Sequence, residues 1–325
     1  MSESTSKPWK IVLLPRLQMD AIVSCFFLKY FGVEKFPGIE YAEYLFWNSI
    51  PEGKDAEVLE EEGYILIDLG GGRFDHHGSI GSANEKCVSE LVAEYLGIEN
   101  DKALKKILAF IRRDDLTGRG IISEDPLDRA FGLPGLVTSL SRMLPDDQEA
   151  VLRMVMPFFL AHYYEQKKRT EDFPEEYETK LKNGQARRSR IPSMRGPINL
   201  VVIETDEIGM AGFLRNYPKI NAHIVIQKAI SGHVNIITRR GNDIDLSEIA
   251  RLLRKAELRT KDNPPFITEA DLSKPGKIPG VEEWFFDNKA ITLQNGGVRP
   301  QGVPATSLSL DEIEKIVKEA VLIKL

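Results

Sequence analysis

The stretch Tyr64-Ile65-Leu66-Ile67-Asp68-Leu69-Gly70-Gly71-Gly72-Arg73-Phe74-Asp75-His76-His77-Gly78 decides how the rest of the chain is read. An apolar run of strand character ends at Asp68, three glycines turn the backbone, and Asp75-His76-His77 follows at once. A carboxylate at a strand end and an imidazole one short loop later can converge on a single divalent cation, and glycines let the backbone pass close to it. Asp75 is expected to accept a hydrogen bond from one imidazole and set its tautomer, which leaves the other free to act on substrate. The alternative is a polar turn with two solvated histidines. Of the five histidines, the remaining three (His162, His223 and His233) stand singly elsewhere.

Toward the N-terminus, Lys10 to Leu14 is a short apolar strand, Pro15 to Asp20 a loop, and Ala21 to Lys29 a buried helical pattern. Asp20 falls at the helix start, where a carboxylate either caps free backbone amides or points across the strand ends at a ligand. Gly38 to Trp47 is a second, weaker strand and turn, and Asp55 to Glu62 has helical spacing. Strands and helices alternating at this spacing imply a parallel sheet, with ligands gathered at the strands' carboxyl ends. Asp20, Asp68 and the histidine pair are expected to meet there.

Toward the C-terminus, helices are expected over Val88 to Leu96 and Lys102 to Arg113. Asp114 and Asp115 follow the second and are placed to bring a further ligand, or else solvate a helix end. Ala130 to Lys168 reads as helical, with Pro157 kinking or dividing it and His162 a satisfied core histidine. Composition then shifts to charge from Lys167 to Arg195. The expected organisation is a metal-binding domain with a helical extension (1–166), a charged connector (167–197) and a smaller domain (198–325). The last carries strands near Ile198 to Ile203, His223 to Gln227 and Val234 to Thr238, with helices on one face and an amphipathic helix introduced by Asp243 or Asp245. Asn295-Gly296-Gly297 is a turn.

With 325 residues the chain can bury two cores. A formal net charge of −6 argues against a uniformly basic nucleic-acid surface, so such a contact would be local. Cys25 and Cys87 sit apart in apolar stretches and read as buried hydrophobes, which suits a reducing compartment. The polar start, Met1 to Pro8, has the pattern of neither a secretory signal nor a membrane span, so the expected location is cytoplasmic, with no membrane partner.

On these residues the chain resembles the DHH phosphoesterase superfamily, two-domain hydrolases that cut phosphoester or phosphoanhydride bonds with manganese or magnesium. Asp75-His76-His77 matches the motif that names the family. Asp68 matches its metal-bridging aspartate, Asp114 or Asp115 its fourth-motif aspartate, and Asp20-Ala21 the end of its first motif. That motif typically reads His, three residues, Asp, one residue, Asp-Ala. Here Leu14 and Gln18 stand in place of its histidine and first aspartate, so one of the family's two metal positions lacks its usual ligands.

Gly232 to Arg240, followed by Ile244 to Ala250, is similar to the family's substrate domain, although Arg254 to Arg259 replaces its glycine-rich loop. The glycines near Asp68 and the helical segment after Asp115 also resemble the exonuclease branch named after melanocyte proliferating gene 1. The resemblance implies an α/β fold and a Mn²⁺ or Mg²⁺ ion held by Asp20, Asp68, His76 and Asp114 or Asp115. It further implies a catalytic Asp75 and His77, His77 acting on a phosphoryl oxygen, and a substrate phosphate gripped by Arg239 and Arg240. The expected activity is hydrolysis of a phosphodiester, in an oligonucleotide or a small nucleotide. The alternative is an inactive relative that binds single-stranded nucleic acid or a replication or repair protein, and a homo-oligomer is an open expectation.

Overall fold

Ile11, Val12 and Leu13 are fully buried, as expected of a central strand covered on both faces. The computed structural model describes residues 8–77, 86–193, 196–241, 244–296, 300 and 302–322. Gly78, Arg195, Asp243, Gly297 and the polar start 1–7 lie outside the described residues. The chain forms two compact units, Met1–Thr170 and Glu171–Leu325.

The first unit runs β1 (Lys10–Leu13), α1 (Met19–Phe31), β2 (Glu43–Phe46), α2 (Ala56–Glu61), β3 (Tyr64–Leu66), α3 (Val88–Leu96), α4 (Lys105–Thr117), α5 (Pro126–Ala130), α6 (Leu133–Met143) and α7 (Gln148–Lys167). Its sheet has the order β2-β1-β3 and is parallel throughout, with Lys10 opposite both Glu43 and Tyr64. The ends of β1 and β3 therefore open at the same edge, above which their loops carry Gln18 and Asp68. Phe26 and Phe27 of α1, Val92 of α3, Ile111 of α4 and Val155 of α7 share one apolar core.

Three helical expectations are corrected. α4 continues through Asp114 and Asp115 to Thr117, because the first residue that stops it is Gly118, left-handed at φ 62°. The long helix divides into α5, α6 and α7, whereas Pro157 sits inside an unbroken α7. His162 lies on the exposed side of α7 and is not a core residue.

The second unit runs α8 (Phe173–Lys182), β4 (Ala186–Ile191), β5 (Ile198–Glu204), α9 (Met210–Asn216), β6 (Ile224–Lys228), β7 (Val234–Thr238), α10 (Leu246–Leu258), α11 (Glu269–Leu272), β8 (Phe285–Asp287), β9 (Thr292–Gln294) and α12 (Leu310–Leu322). Its sheet has the order β4-β5-β6-β7-β9-β8, with β5 and β6 parallel and the other pairs antiparallel. Alternate residues of β5 point to opposite faces. Leu200 and Val202 pack with Leu253 of α10 and Val317 of α12, while Val201 and Ile203 pack with Tyr177 of α8 and Phe213 of α9. Helices thus cover both faces, not one.

Of the segment 167–197, expected as a solvated connector, the part from Glu171 on belongs to this unit and its described residues carry α8 and β4. Phe173 and Tyr177 are buried, and the burial of the Phe173 ring is worth about 1.5–3 kcal/mol. β4 pairs with β5 from Ala186 to Ile191 as an outer strand, and Arg187 reaches Asp311 of α12 at 2.6 Å. Charged side chains on an outer strand discourage further pairing, so the same charges that suggest a linker suit a sheet edge.

The proline-rich tail is organised by α10. Arg254 is fully buried and donates to the carbonyls of Leu272 (2.8 Å), Lys274 (2.7 Å), Gly276 (2.6 Å) and Trp284 (2.9 Å). Glu257 accepts from Trp284 Nε1 at 3.0 Å and from the Ser307 amide at 2.8 Å. Asn295 is a buried clasp, its amide donating to the Glu283 and Pro304 carbonyls, both at 2.9 Å. No helix among the described residues is long and apolar enough to cross a membrane.

Candidate metal centre

The loop after β3 is shaped by backbone that few residues tolerate. The Ile67 amide donates to Val12 at 2.9 Å, and then Asp68 turns left-handed at φ 57°, followed by Gly70 at 77° and Gly71 at 70°. A Cβ at Gly70 would meet Ile50 Cγ2 at 2.7 Å, so only glycine fits there. The Asp68 amide donates to the Phe74 carbonyl at 2.8 Å, and buried Phe74 anchors the returning chain.

Asp75 fastens this loop. Its Oδ2 accepts the Gly71 amide at 2.7 Å and its Oδ1 the His77 amide at 2.8 Å. The carboxylate therefore serves the backbone and does not set an imidazole tautomer, which corrects the first expectation for this residue. That task falls to the Lys86 carbonyl, 3.1 Å from His76 Nδ1. A carbonyl can only accept, so Nδ1 carries the proton and the neutral ring presents a bare Nε2.

Both rings converge on one oxygen. Asp68 Oδ1 lies 3.4 Å from His76 Nε2 and 3.3 Å from His77 Nε2, and the ring centroids are 4.2 Å apart. Asp68, His76 and His77 each offer a donor atom within 4.8 Å of the others. For donors about 2.1 Å from a cation, neighbouring donors in a tetrahedron or octahedron are separated by roughly 3.0–3.4 Å. Asp68 Oδ1 is buried and has no hydrogen-bond partner among the described residues, as is also true of Asp115 Oδ2. The donor set and its spacing fit a divalent cation.

Of the adjacent aspartates, Asp115 is the one beside this group, with Oδ2 3.9 Å from His76 Nδ1. Burial raises its carboxyl above the ordinary range, His76 draws it down, and the charge of Asp68 pushes it up again. Asp114 lines a cavity of about 380 Å³ with Arg16, Gln18, Asp20 and Asp115, and burial followed by the charge of Asp115 raises its carboxyl too. Asp20 does not join the donor group among the described residues. It is 5 % exposed, and its two oxygens accept the Val88 amide at 2.7 Å and the Ser89 amide at 2.8 Å. Burial lifts its carboxyl to about 6.

Leu14 packs beside Val12 and Leu66, and Gln18, exposed at the start of α1 without capping it, lines a small pocket with Asp20 and Asp68. Arg239 follows β7 in the second unit and donates to Asn221 Oδ1, while Arg240 donates to the Lys289 carbonyl at 3.2 Å. Sequence reasoning missed two contributors. The Lys86 carbonyl is backbone and leaves no mark in residue type; Arg16, at the cavity, had only its place between a strand and a helix to signal it.

No protein-family model matches this chain, and no curated protein matches it. A solved structure described as an uncharacterized protein from Helicobacter pylori G27 is similar at 12% identity, covering 97% of this chain and 99% of that one, with a TM-score of 0.24.

Proposed function

We propose that this chain is a metal-dependent phosphoesterase that hydrolyses a phosphodiester, in an oligonucleotide or a small nucleotide, with Mn²⁺ or Mg²⁺ held at Asp68, His76 and His77 and with Asp115 beside them. The observation that carries the reading is the unpartnered Asp68 Oδ1, which faces two imidazole nitrogens at 3.3 and 3.4 Å. Two nitrogen donors favour Mn²⁺ over Mg²⁺, which prefers oxygen. The resemblance to the DHH superfamily, carried by Asp68 and Asp75-His76-His77, belongs to this proposal.

A bound divalent cation supplies Lewis acidity at a phosphoryl oxygen and makes water a better nucleophile near neutral pH. The chain's own residues do the rest. Asp75 holds the loop, and the Lys86 carbonyl keeps His76 with Nε2 forward. Asp115 Oδ2, buried and without a hydrogen-bond partner among the described residues, serves as the proton acceptor. Arg16 provides positive charge at the cavity for a substrate phosphate. Arg239 and Arg240 form no ion pair with a carboxylate among the described residues, and the resemblance assigns them to binding substrate phosphate.

The test is Mn²⁺-dependent hydrolysis of bis-p-nitrophenyl phosphate and of a short single-stranded oligonucleotide, comparing wild type with Asp68→Ala. Turnover in wild type and none in the variant is expected. The loss of the family's usual ligands at Leu14 and Gln18, where leucine cannot ligate and glutamine is a neutral, weaker donor, favours a second reading, an inactive protein that binds nucleic acid or a partner. Equal rates in the two proteins, together with retained oligonucleotide binding, would replace the first reading with the second.

A further inference from the structure

Asp20 is a carboxylate almost wholly out of water, yet it lies outside the donor group. Both of its oxygens are engaged: the Val88 and Ser89 amides donate to them at 2.7 and 2.8 Å. These two amides are the first orphan donors of α3, where negative charge is favoured. Asp20 therefore ties the start of α3 to the start of α1, across 68 residues of sequence.

One peptide bond before that clamp stands the group that orients His76. The carbonyl of the Lys86–Cys87 peptide faces His76 Nδ1 at 3.1 Å, and the N–H of the same peptide donates to Glu90 Oε2 at 3.1 Å. A peptide is planar, so holding its N–H and the next amides fixes the direction of its carbonyl. Glu90 is itself held by Arg112 of α4, whose Nη1 lies 2.9 and 2.8 Å from its two carboxylate oxygens.

We propose that Asp20 is a positioning residue for His76: with Glu90 it locks the Lys86–Cys87 peptide, whose carbonyl keeps the imidazole in the tautomer that presents Nε2 to Asp68. The part of this that concerns metal rests on the metal-centre reading; the part that concerns the tautomer does not. Asp20 acts through backbone, and its loss frees the ring to exchange its proton between the two nitrogens.

The experiment reads the ring directly. Nitrogen-15 NMR of the His76 imidazole, in metal-free full-length protein at about pH 8 where histidine is neutral, gives the tautomer. Titration with Mn²⁺ alone gives affinity. Wild type should show a single tautomer protonated at Nδ1. Asp20→Asn, which turns a donor toward amides that need an acceptor, should show a mixture of tautomers and Mn²⁺ binding weaker by roughly 10 to 100-fold, the usual range for an outer-sphere partner.

Glu90→Ala should act in the same direction, and Glu90→Gln, which keeps an acceptor for the Cys87 amide, should restore the single tautomer. If Asp20→Asn fails to fold, the Glu90 pair reads the same peptide. An unchanged tautomer in both Asp20→Asn and Glu90→Ala overturns the proposal, and so does complete loss of Mn²⁺ with the tautomer intact, which would make Asp20 a ligand. Tautomer mixing in variants of a wild type that binds no Mn²⁺ supports the positioning role while refuting the metal reading.

Discussion

Asp68 Oδ1 stands 3.4 Å from His76 Nε2, the nitrogen left bare by the bond from Nδ1 to Lys86. A carboxylate oxygen and a bare ring nitrogen this close repel unless a cation or a proton lies between them. Asp68→Ala is therefore expected to weaken Mn²⁺ binding by more than about 100-fold, beyond the loss seen for outer-sphere partners. Calorimetric titration of both proteins checks it, and equal affinities would remove the site.

His77 Nε2 lies 3.3 Å from the same oxygen. Assigned by resemblance to a phosphoryl oxygen alone, His77 would be dispensable for metal binding. Its position predicts otherwise: His77→Ala should weaken Mn²⁺ by roughly 10-fold or more. An unchanged Mn²⁺ titration, paired with a lower hydrolysis rate, would return His77 to the substrate.

Asp75 accepts two backbone amides, so Asp75→Ala leaves the Gly71 and His77 N–H groups without their acceptor. Partial exposure softens the cost to about 1–2 kcal/mol, or roughly 2–8 °C in the melting of a unit this size. A melting curve superimposable on wild type would show that the glycine loop keeps its shape unaided.

Asp20 makes stability depend on pH. Burial raises its carboxyl from 3.8 to about 6, so the folded chain keeps a proton that the unfolded chain has lost. Its contribution is fully present below the unfolded value and disappears as pH rises through the folded one, a change on the order of 3 kcal/mol. Asp20→Asn cannot titrate there. In metal-free protein its urea midpoint should vary less than that of wild type between about pH 4 and pH 7; parallel profiles would contradict this account.

Arg254 satisfies four backbone carbonyls from a fully buried position. Arg254→Met preserves much of the volume but strands those acceptors, and should destabilise the second unit by about 3–5 kcal/mol. Urea unfolding followed at Trp284, buried in that unit, should move to lower denaturant, whereas a preserved midpoint would mean water replaces the guanidinium without loss.

Much of the element pattern was legible from local signals. The helix over Val88–Leu96 begins and ends where the apolar spacing places it. Strands β8 and β9 escaped notice because three residues each are too few to show an alternation, and they become strands only by pairing with β7 and with each other. The arginines of β4 spelled a linker because composition reports exposure, and an outer strand is exposed as well.

At the site, sequence by itself determined the candidate donor types: an apolar run leading into Asp68, glycines that allow the left-handed return, and two imidazoles directly after it. Only the tertiary structure decided which groups meet. The parallel register of β1 and β3 sets the strand ends side by side, and α4 brings Asp115, not Asp114, to His76. Packing α1 against α3 turns Asp20 from a candidate ligand into a helix clamp. The reason is physical. A carboxylate looks the same in sequence whether its lone pairs face a cation or a helix's free amides, and which of these reaches it first is settled by elements far away along the chain.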